Sequence, residues 1–210
     1  MEKKFELTDN FIINAFGVKL FQIKCTKSFK YAKEGDLGGY VEKDENLDQE
    51  SNAWVSGDAR VYGDARVYGD ARVYGNARVS GNAEVYGNAE VSGNAEVYGN
   101  AEVSGDARVS GDARVYGNAE VSGNARVSGN AEIDNNNKHC GFDCFGSANR
   151  HTHAYLTKEN KVEITCGCFR GSIEEFEKRV EETHSGTIYE KQYKAIIDVI
   201  KIKFGLTDLI

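Results

Sequence analysis

Cysteine and histidine residues are dense in the last third of the chain, where they could support metal or redox chemistry. Seven fall within thirty positions: His139, Cys140, Cys144, His151, His153, Cys166 and Cys168. Cys140, Cys144, His151 and His153 offer the sulfur and nitrogen ligands of tetrahedral zinc. Cys166 and Cys168 stand closer together than the usual chelating pair. We favour buried free thiols over a zinc site, with a redox role as a third alternative, and expect no other cofactor.

The same histidines are the candidates for catalysis. His151 and His153 could act as general bases, but structural histidines are more common, and we favour that role. The repetitive background contains no recognisable Ser-His-Asp order, phosphate-binding glycine loop or paired-carboxylate signature. We therefore expect no catalytic residues.

A six-residue repeat occupies the middle of the chain and must position these groups. From Val55 to Ile133 the unit is Val-(Tyr/Ser)-Gly-(Asp/Asn)-Ala-(Arg/Glu), with no insertion or deletion. The run Ala-Arg-Val-Tyr alternates as a short strand does, with Ala and Val inward. Glycine followed by Asp or Asn is typical of a tight corner. Short strands and corners repeated in this way predict a solenoid.

The repeat resembles that of hexapeptide left-handed parallel β-helix proteins, in which an aliphatic residue leads each unit and a small residue follows four positions later. This resemblance implies left-handed coiling and three units, hence 18 residues, in each coil. Hexapeptide acyltransferases share such a rod and often carry a catalytic histidine on a loop between coils. Residues 41–134 contain neither that loop nor a histidine. An acyltransferase-like enzyme is therefore the alternative and not the favoured function.

The 18-residue coil places outward side chains in columns on three faces. Alternating Arg and Glu should form ladders that fix register, whereas Glu84, Glu102 and Glu120 would stack without local compensation. We favour cross-coil packing for the tyrosines over an interaction surface. The candidate binding residues are Trp54, Tyr62, Tyr68, Arg78, Tyr86, Tyr98, Arg114 and Tyr116.

Both ends of a solenoid expose unpaired strand edges and need caps. We divide the chain into an N-terminal cap (1–36), the solenoid (37–147) and a C-terminal α+β cap (148–210). A strand over 18–25 precedes Val41 and Leu47, two early repeat positions followed by a two-residue bulge. Beyond Ile133, His139 and Phe145 keep the spacing of six, which suggests an imperfect last coil.

The C-terminal cap should contain a hairpin and two helices. Strands around 154–157 and 161–166 flank a turn. Ser172 and Glu175 form a capping-box pattern before a helix reaching about Thr183, and a second helix spans about 188–203. The expected fold is mainly β: a left-handed parallel β-helix with an N-terminal β cap and a small C-terminal domain of a β-hairpin and two helices.

A more specific resemblance rests on three motifs. Gly-Asp-Leu-Gly-Gly-Tyr-Val at 35–41, the Tyr-Gly-Asp-Ala-Arg-Val repeats and the Cys-Gly-Cys-Phe run at 166–169 resemble a group of bacteriophage and prophage proteins without an established activity. The resemblance implies a host-interaction or anti-defence protein. Such a protein would bind a host protein or sequester a small signalling nucleotide; a structural or assembly rod is another alternative.

Composition narrows the partners and the location. The net charge of -7 argues against nucleic acid, which attracts clustered Lys and Arg. The first six residues lack the apolar core of a signal peptide, and no window holds eighteen apolar residues. We expect a cytoplasmic protein, in the host cytosol if phage-encoded, without a membrane partner. Related rods associate, so we also expect a homo-oligomer, either a dimer or a trimer.

Overall fold

A computed structural model describes residues 3–206. The outermost parts of the two expected caps, residues 1–2 and 207–210, lie outside this range. Strands β1–β3 are Phe5–Ile13, Lys19–Cys25 and Leu37–Val41. Strands β4–β17 are Trp54–Val55, Arg60–Val61, Arg66–Val67, Arg72–Val73, Arg78–Val79, Glu84–Val85, Glu90–Val91, Glu96–Val97, Glu102–Val103, Arg108–Val109, Arg114–Val115, Glu120–Val121, Arg126–Val127 and Glu132–Ile133. Strands β18–β21 are His139–Phe145, Arg150–Leu156, Val162–Cys166 and Phe169–Gly171. Helices α1 and α2 are Ile173–His184 and Ile188–Lys203, and 3-10 turns cover Asp44–Asn46 and Asn136–Lys138.

The repeat forms a parallel β-solenoid of about five coils, which confirms the expected architecture. Each two-residue strand pairs with the strand 18 residues later, as in Val73 with Val91 and Val79 with Val97. The lead Val and the Ala of each unit are buried throughout the rod, because alternation points both inward. The three predicted faces are thus three parallel sheets around one narrow aliphatic core.

The glycine corners hold successive coils in close contact. Repeat glycines from Gly57 to Gly129 all have positive φ, between 64° and 74°. At Gly105 an added Cβ would lie 2.9 Å from the backbone nitrogen of Gly123 in the next coil. Glycine is therefore required twice, for the left-handed backbone and for the approach of the neighbouring coil.

The N-terminal end extends one solenoid sheet. β1, β2 and β3 form an antiparallel run, and β3 then pairs in parallel with β5. Val41 pairs with Val61 and Leu47 with Val67, a separation of 20 residues in place of 18. This offset confirms the predicted two-residue bulge before Val55.

One buried lysine closes the N-terminal end. The ammonium group of Lys4 donates to the carbonyl oxygens of Asp48, Ser51 and Ala53 at 2.6, 2.8 and 2.8 Å. Burial lowers the pKa of Lys4 to about 8. Three carbonyl groups at the start of the solenoid are thus paired by a side chain that directly precedes β1 and not by another coil.

The C-terminal end is closed by a separate four-stranded antiparallel sheet, in the order β18-β19-β20-β21. The predicted hairpin and both helices are confirmed, including the Ser172–Glu175 capping box. The imperfect last coil is wrong, because β18 pairs antiparallel with β19 and leaves the solenoid after Ile133. The predicted boundary at 147 falls in the turn between these strands.

The two faces of this sheet have different neighbours. Ala154, Ile164 and Cys166 pack with α1 and α2 in a second core. Tyr155 points the other way and joins the solenoid core. Within residues 3–206, no helix combines the length and hydropathy needed to cross a bilayer.

Candidate functional site

The four predicted zinc ligands do not converge. Cys140 packs with the helix-side core, whereas His153, on the neighbouring strand, faces the solenoid. His151 and the exposed Cys144 line a cleft at the edge of the sheet. Within residues 3–206, no three His, Cys, Asp or Glu side chains are grouped to hold a metal ion. This arrangement gives the zinc alternative no support.

His153 has a structural position. It is 1% exposed; its Nδ1 lies 3.2 Å from the Arg126 carbonyl oxygen and its Nε2 lies 3.1 Å from His139 Nδ1. Because a carbonyl only accepts, His153 donates from Nδ1 and accepts at Nε2 from His139. Burial lowers the pKa of His153 to about 3, so the ring is neutral near pH 7.

The rest of the inner face of the C-terminal sheet is also polar and caps the last coil. The Thr165 hydroxyl donates to the Arg126 carbonyl at 3.1 Å. The Tyr155 hydroxyl lies 3.2 Å from Ser128 Oγ and donates to Glu163 at 2.7 Å. The Thr165 and His153 contacts pair the Arg126 carbonyl, a backbone group that a further coil would otherwise pair.

The tyrosine columns form two parallel stacks. The rings of Tyr68 and Tyr86 are 4.9 Å apart, and those of Tyr98 and Tyr116 are 5.0 Å apart. Tyr62 joins neither stack, because Ser80 occupies the next coil between it and Tyr98. The favoured interpretation, cross-coil packing, accounts for the four stacked rings.

Two of the three glutamates in the column, Glu84 and Glu102, are compensated, contrary to our expectation. The Tyr68 hydroxyl donates to Glu84 at 2.7 Å and the Tyr86 hydroxyl donates to Glu102 at 3.1 Å. A tyrosine thus reaches the glutamate sixteen residues later, on the adjacent coil. Repulsion along the column is reduced by neutral donors, which a search for opposite charges does not reveal.

The arginine candidates are engaged in the predicted ladder. Arg78 donates to Glu96 at 2.7 Å, and Arg114 lies 3.5 Å from the same carboxylate. Both arginines are partly exposed, so this ladder contributes little to stability.

Trp54 is buried, so its expected position on an outer surface is wrong. It is 5% exposed, and the Phe29 ring packs edge-on against it at 5.4 Å. The segment between β2 and β3 folds over the first coil and covers the indole. Trp54 is therefore a solenoid residue that packs against the N-terminal cap.

A groove that we did not predict lies at the junction between the last coils and the C-terminal sheet. The first cleft, of ≈ 470 Å³, and the second cleft, of ≈ 530 Å³, lie on either side of the Gly167–Cys168 turn. A third cleft, of ≈ 220 Å³, shares residues with both. We call the three together the junction groove. Six basic residues line it: Arg108, Arg126, Arg150, Arg170, Lys178 and Arg179.

Gly167 positions two of these arginines. Arg126 Nη1 donates to the Gly167 carbonyl oxygen at 2.8 Å. Arg150 packs against the Gly167 backbone, so that an added Cβ would lie 2.7 Å from its Nη1. The φ of +62° also favours glycine. The turn therefore holds two guanidinium groups beside each other.

Three arginines in the first cleft make no close ion pair, although Arg108 lies beside Glu90 in the parallel register and, after Arg72, helps to lower the pKa of that carboxyl. Among the described residues, no carboxylate lies within 4.0 Å of the guanidinium nitrogens of Arg108, Arg126 or Arg150. Arg108 and Arg126 are direct neighbours in the parallel register. Asp106 and Asp143 also line this cleft; Asp106 accepts from the Asn88 amide at 2.9 Å, and the Asp143 carboxylate lies 2.7 Å from His151 Nδ1, a contact that lowers the pKa of Asp143. The three arginines exceed the two aspartates by one charge, on a protein whose net charge is -7.

The second cleft combines basic and aromatic side chains. Arg170 crosses the Gly129 corner and is ion-paired with Glu163. Lys178 and Arg179 project from α1, while Phe176 and Tyr193 form an apolar wall. Glu175 and Glu182 lie at the same cleft, so its charge is less one-sided than that of the first.

The fold and the repeat together define a protein of the parallel β-solenoid class. The repeats are similar to the YdcK beta-solenoid repeat, which matches residues 53–69, 59–73, 65–81, 71–87, 101–117 and 107–121. These overlapping matches cover about a quarter of the chain, all of it within the coils. A comparison with curated proteins gives no match. The similarity therefore describes the rod and does not extend to the junction groove.

Proposed function

We propose that this chain is a non-catalytic binding protein whose junction groove holds a small molecule with several negative charges, of the nucleotide class. The observation that carries the proposal is the set of Arg108, Arg126 and Arg150, which line one cleft and make no ion pair within 4.0 Å among the described residues. Arginine presents a planar fork that matches phosphate oxygens. The two larger clefts have volumes typical of small-molecule sites.

Two further features support this ligand class. Guanidinium groups that form no ion pair in a concave site attract anions even when the net charge of the protein is negative. The partly exposed Phe169 ring at the second cleft offers a surface for a planar base. In this proposal the solenoid is a rigid support, and its repeated faces are not the main site.

The biological setting comes from the resemblance to phage proteins. A cytoplasmic protein of a phage or prophage that sequesters a signalling nucleotide would act as a host-interaction or anti-defence factor. An acidic segment of a host protein could engage the same arginines. The nucleotide is favoured because the site is a cleft and not an extended flat surface.

Titration calorimetry with nucleoside mono-, di- and triphosphates and with cyclic nucleotides tests the proposal. At least one should bind, and Arg108→Gln or Arg150→Gln should each weaken binding by about tenfold. The matched control is Arg66→Gln, the same change at an exposed repeat arginine outside the groove. Failure of the whole panel to bind, or unchanged affinity in both groove variants, would contradict the proposal.

One observation favours a second function, the acyltransferase-like enzyme. His151 Nδ1 is 2.7 Å from Asp143, and the buried Nε2 has no hydrogen-bond partner within the described part of the chain. A histidine oriented by a carboxylate can act as a general base. Acyl transfer from a panel of CoA thioesters, abolished by His151→Gln, would establish catalysis and overturn the non-catalytic proposal.

A further inference from the structure

Helix α2 is apolar on two opposite faces. Its inner face, with Tyr193, Ile197 and Ile200, is buried against the C-terminal sheet and α1. Its outer face carries a second apolar row that nothing in the described chain covers: Ile188, Ala195, Val199, Ile202 and, just beyond the helix, Leu206. Ile188 and Ile202 are more than 60% exposed. A one-sided amphipathic helix would carry polar residues at these positions.

The spacing of this row fits another helix. The intervals from Ile188 to Leu206 are seven, four, three and four residues. Positions separated in this way follow one narrow line along a helix, as in the seam between two packed helices. The small Ala195 lies near the middle and permits close approach of a second backbone.

The charged residues of α2 indicate which helix could cover the apolar row. Most are already engaged within the subunit: Glu190 with Lys194 at 2.7 Å, Lys201 with Glu177 at 2.6 Å, and Lys203 with the Asn136 carbonyl at 3.5 Å. Lys191 and Asp198 are exposed beside the row, and among the described residues neither has an ion pair within 4.0 Å. They lie seven residues apart, on the same side of the row.

We propose that the protein forms a two-fold dimer in which α2 packs antiparallel against α2 of a second copy. An axis near Ala195 places Lys191 of each copy beside Asp198 of the other, so that two ion pairs flank the apolar seam. A parallel pair would instead place Lys191 and Asp198 of the two copies on opposite sides of the seam, so that these ion pairs could not form. The row of one helix is thereby covered by an identical row, as a two-fold interface requires.

The dimer leaves the proposed ligand site open. Of the residues that line the junction groove, α2 contributes only Tyr193, from its inner face. One helix pair buries less area than a standard stable interface, so we expect a dissociation constant on the order of micromolar. This proposal does not depend on the nucleotide proposal.

Sedimentation equilibrium over about 1 to 200 µM should show a monomer–dimer equilibrium. Val199→Glu and Ile202→Glu should each shift the protein to monomer, because two carboxylates would be buried in the seam. Lys158→Glu, in the β19–β20 turn, is the matched control and should dimerise as the wild type does. Circular dichroism verifies that each variant remains folded.

Charge exchange tests the antiparallel direction. Lys191→Asp and Asp198→Lys should each weaken dimerisation by about tenfold, and the double variant should restore it. Mixing the two single variants should yield a heterodimer, since both pairs across the seam then have opposite charges. A monomer at every concentration, a trimer, or single variants that dimerise as well as the wild type would overturn the proposal.

Discussion

The two ends of the solenoid are closed in different ways. At the N-terminus, β1–β3 extend an existing sheet, and the Lys4 ammonium group donates hydrogen bonds to three carbonyl oxygens at the start of the solenoid. At the C-terminus, an independent sheet lies across the last coil and contacts it through polar side chains such as His153 and Thr165. Extension of the sheet covers the first coil, whereas docking of a separate unit leaves the junction groove beside the contact.

Because of this difference, we expect one end of the solenoid to determine stability and the other to determine ligand binding. The N-terminal closure uses a charged group as a structural part, buried and saturated with hydrogen bonds. The C-terminal closure leaves charged groups at its edge, where Arg108 and Arg150 make no ion pair within 4.0 Å among the described residues. We therefore expect the largest stability effects from substitutions at the first end and the largest binding effects at the second.

Replacing Lys4 should have the largest effect on stability. Lys4→Met leaves the carbonyls of Asp48, Ser51 and Ala53 without their donor and should lower the free energy of unfolding by about 3 kcal/mol. Lys3→Met is the matched control, because the ion pair of Lys3 with Asp44 is exposed and should contribute far less to stability. Urea unfolding compares them; equal effects would show that the Lys4 contacts are not structural.

The C-terminal closure should weaken in acid. The buried His153 has a lowered pKa of about 3, so below pH 6.5 the unfolded chain takes up a proton that the folded protein does not. Stability should therefore fall as pH decreases from about 6.5, by up to about 1.4 kcal/mol per pH unit for this group. His139, whose pKa burial also lowers, adds to the same trend.

Unfolding of the wild type and of His153→Gln at pH 7 and pH 5 measures this contribution. The variant should lose less stability between the two pH values than the wild type does. An identical pH dependence in both proteins would show that His153 does not titrate as its burial indicates.

Alanine substitutions at two glycine corners should differ in their cost, depending on whether another coil lies against the corner. Gly105 and Gly123 share a positive φ, but only Gly105 has another coil above its α-carbon. Gly123→Ala should cost about 1 kcal/mol for backbone strain alone. Gly105→Ala should cost clearly more, because its Cβ would press on Gly123. Thermal unfolding of the pair measures the difference, and equal costs would mean that the coils separate easily.

The tyrosine hydroxyls should contribute least. Tyr68→Phe removes the donor to Glu84 and should reduce stability by about 1 kcal/mol. Tyr62→Phe is the control, because sixteen residues later Tyr62 meets Arg78 and not a glutamate. A similar loss in both variants would exclude the Tyr–Glu contact as the cause.

The solenoid could be predicted from the sequence, since every coil repeats the same six-residue pattern. Val and Ala alternate inward, and glycine at each corner adopts positive φ. Ser172 with Glu175 likewise predicted the start of α1. These features depend on residues that are close in sequence and have few alternative conformations.

The remainder depends on contacts between distant segments. Trp54 has the sequence position of an outer residue, and only the segment containing Phe29 buries it. His139 and Phe145 keep the repeat spacing, yet their strand pairs with β19. Arg108, Arg126 and Arg150 meet because the Gly167 turn docks against the last coils, and no local pattern encodes that docking.

Hydrogen exchange with and without saturating ATP, as a probe with several phosphates, tests most directly whether binding is located at the C-terminal junction. If ATP binds in the junction groove, amide hydrogen exchange should slow in residues 124–128, 143–151 and 165–168 and should not change around Tyr68 and Tyr86. Protection confined to the tyrosine faces, or none anywhere while calorimetry shows binding, would contradict it.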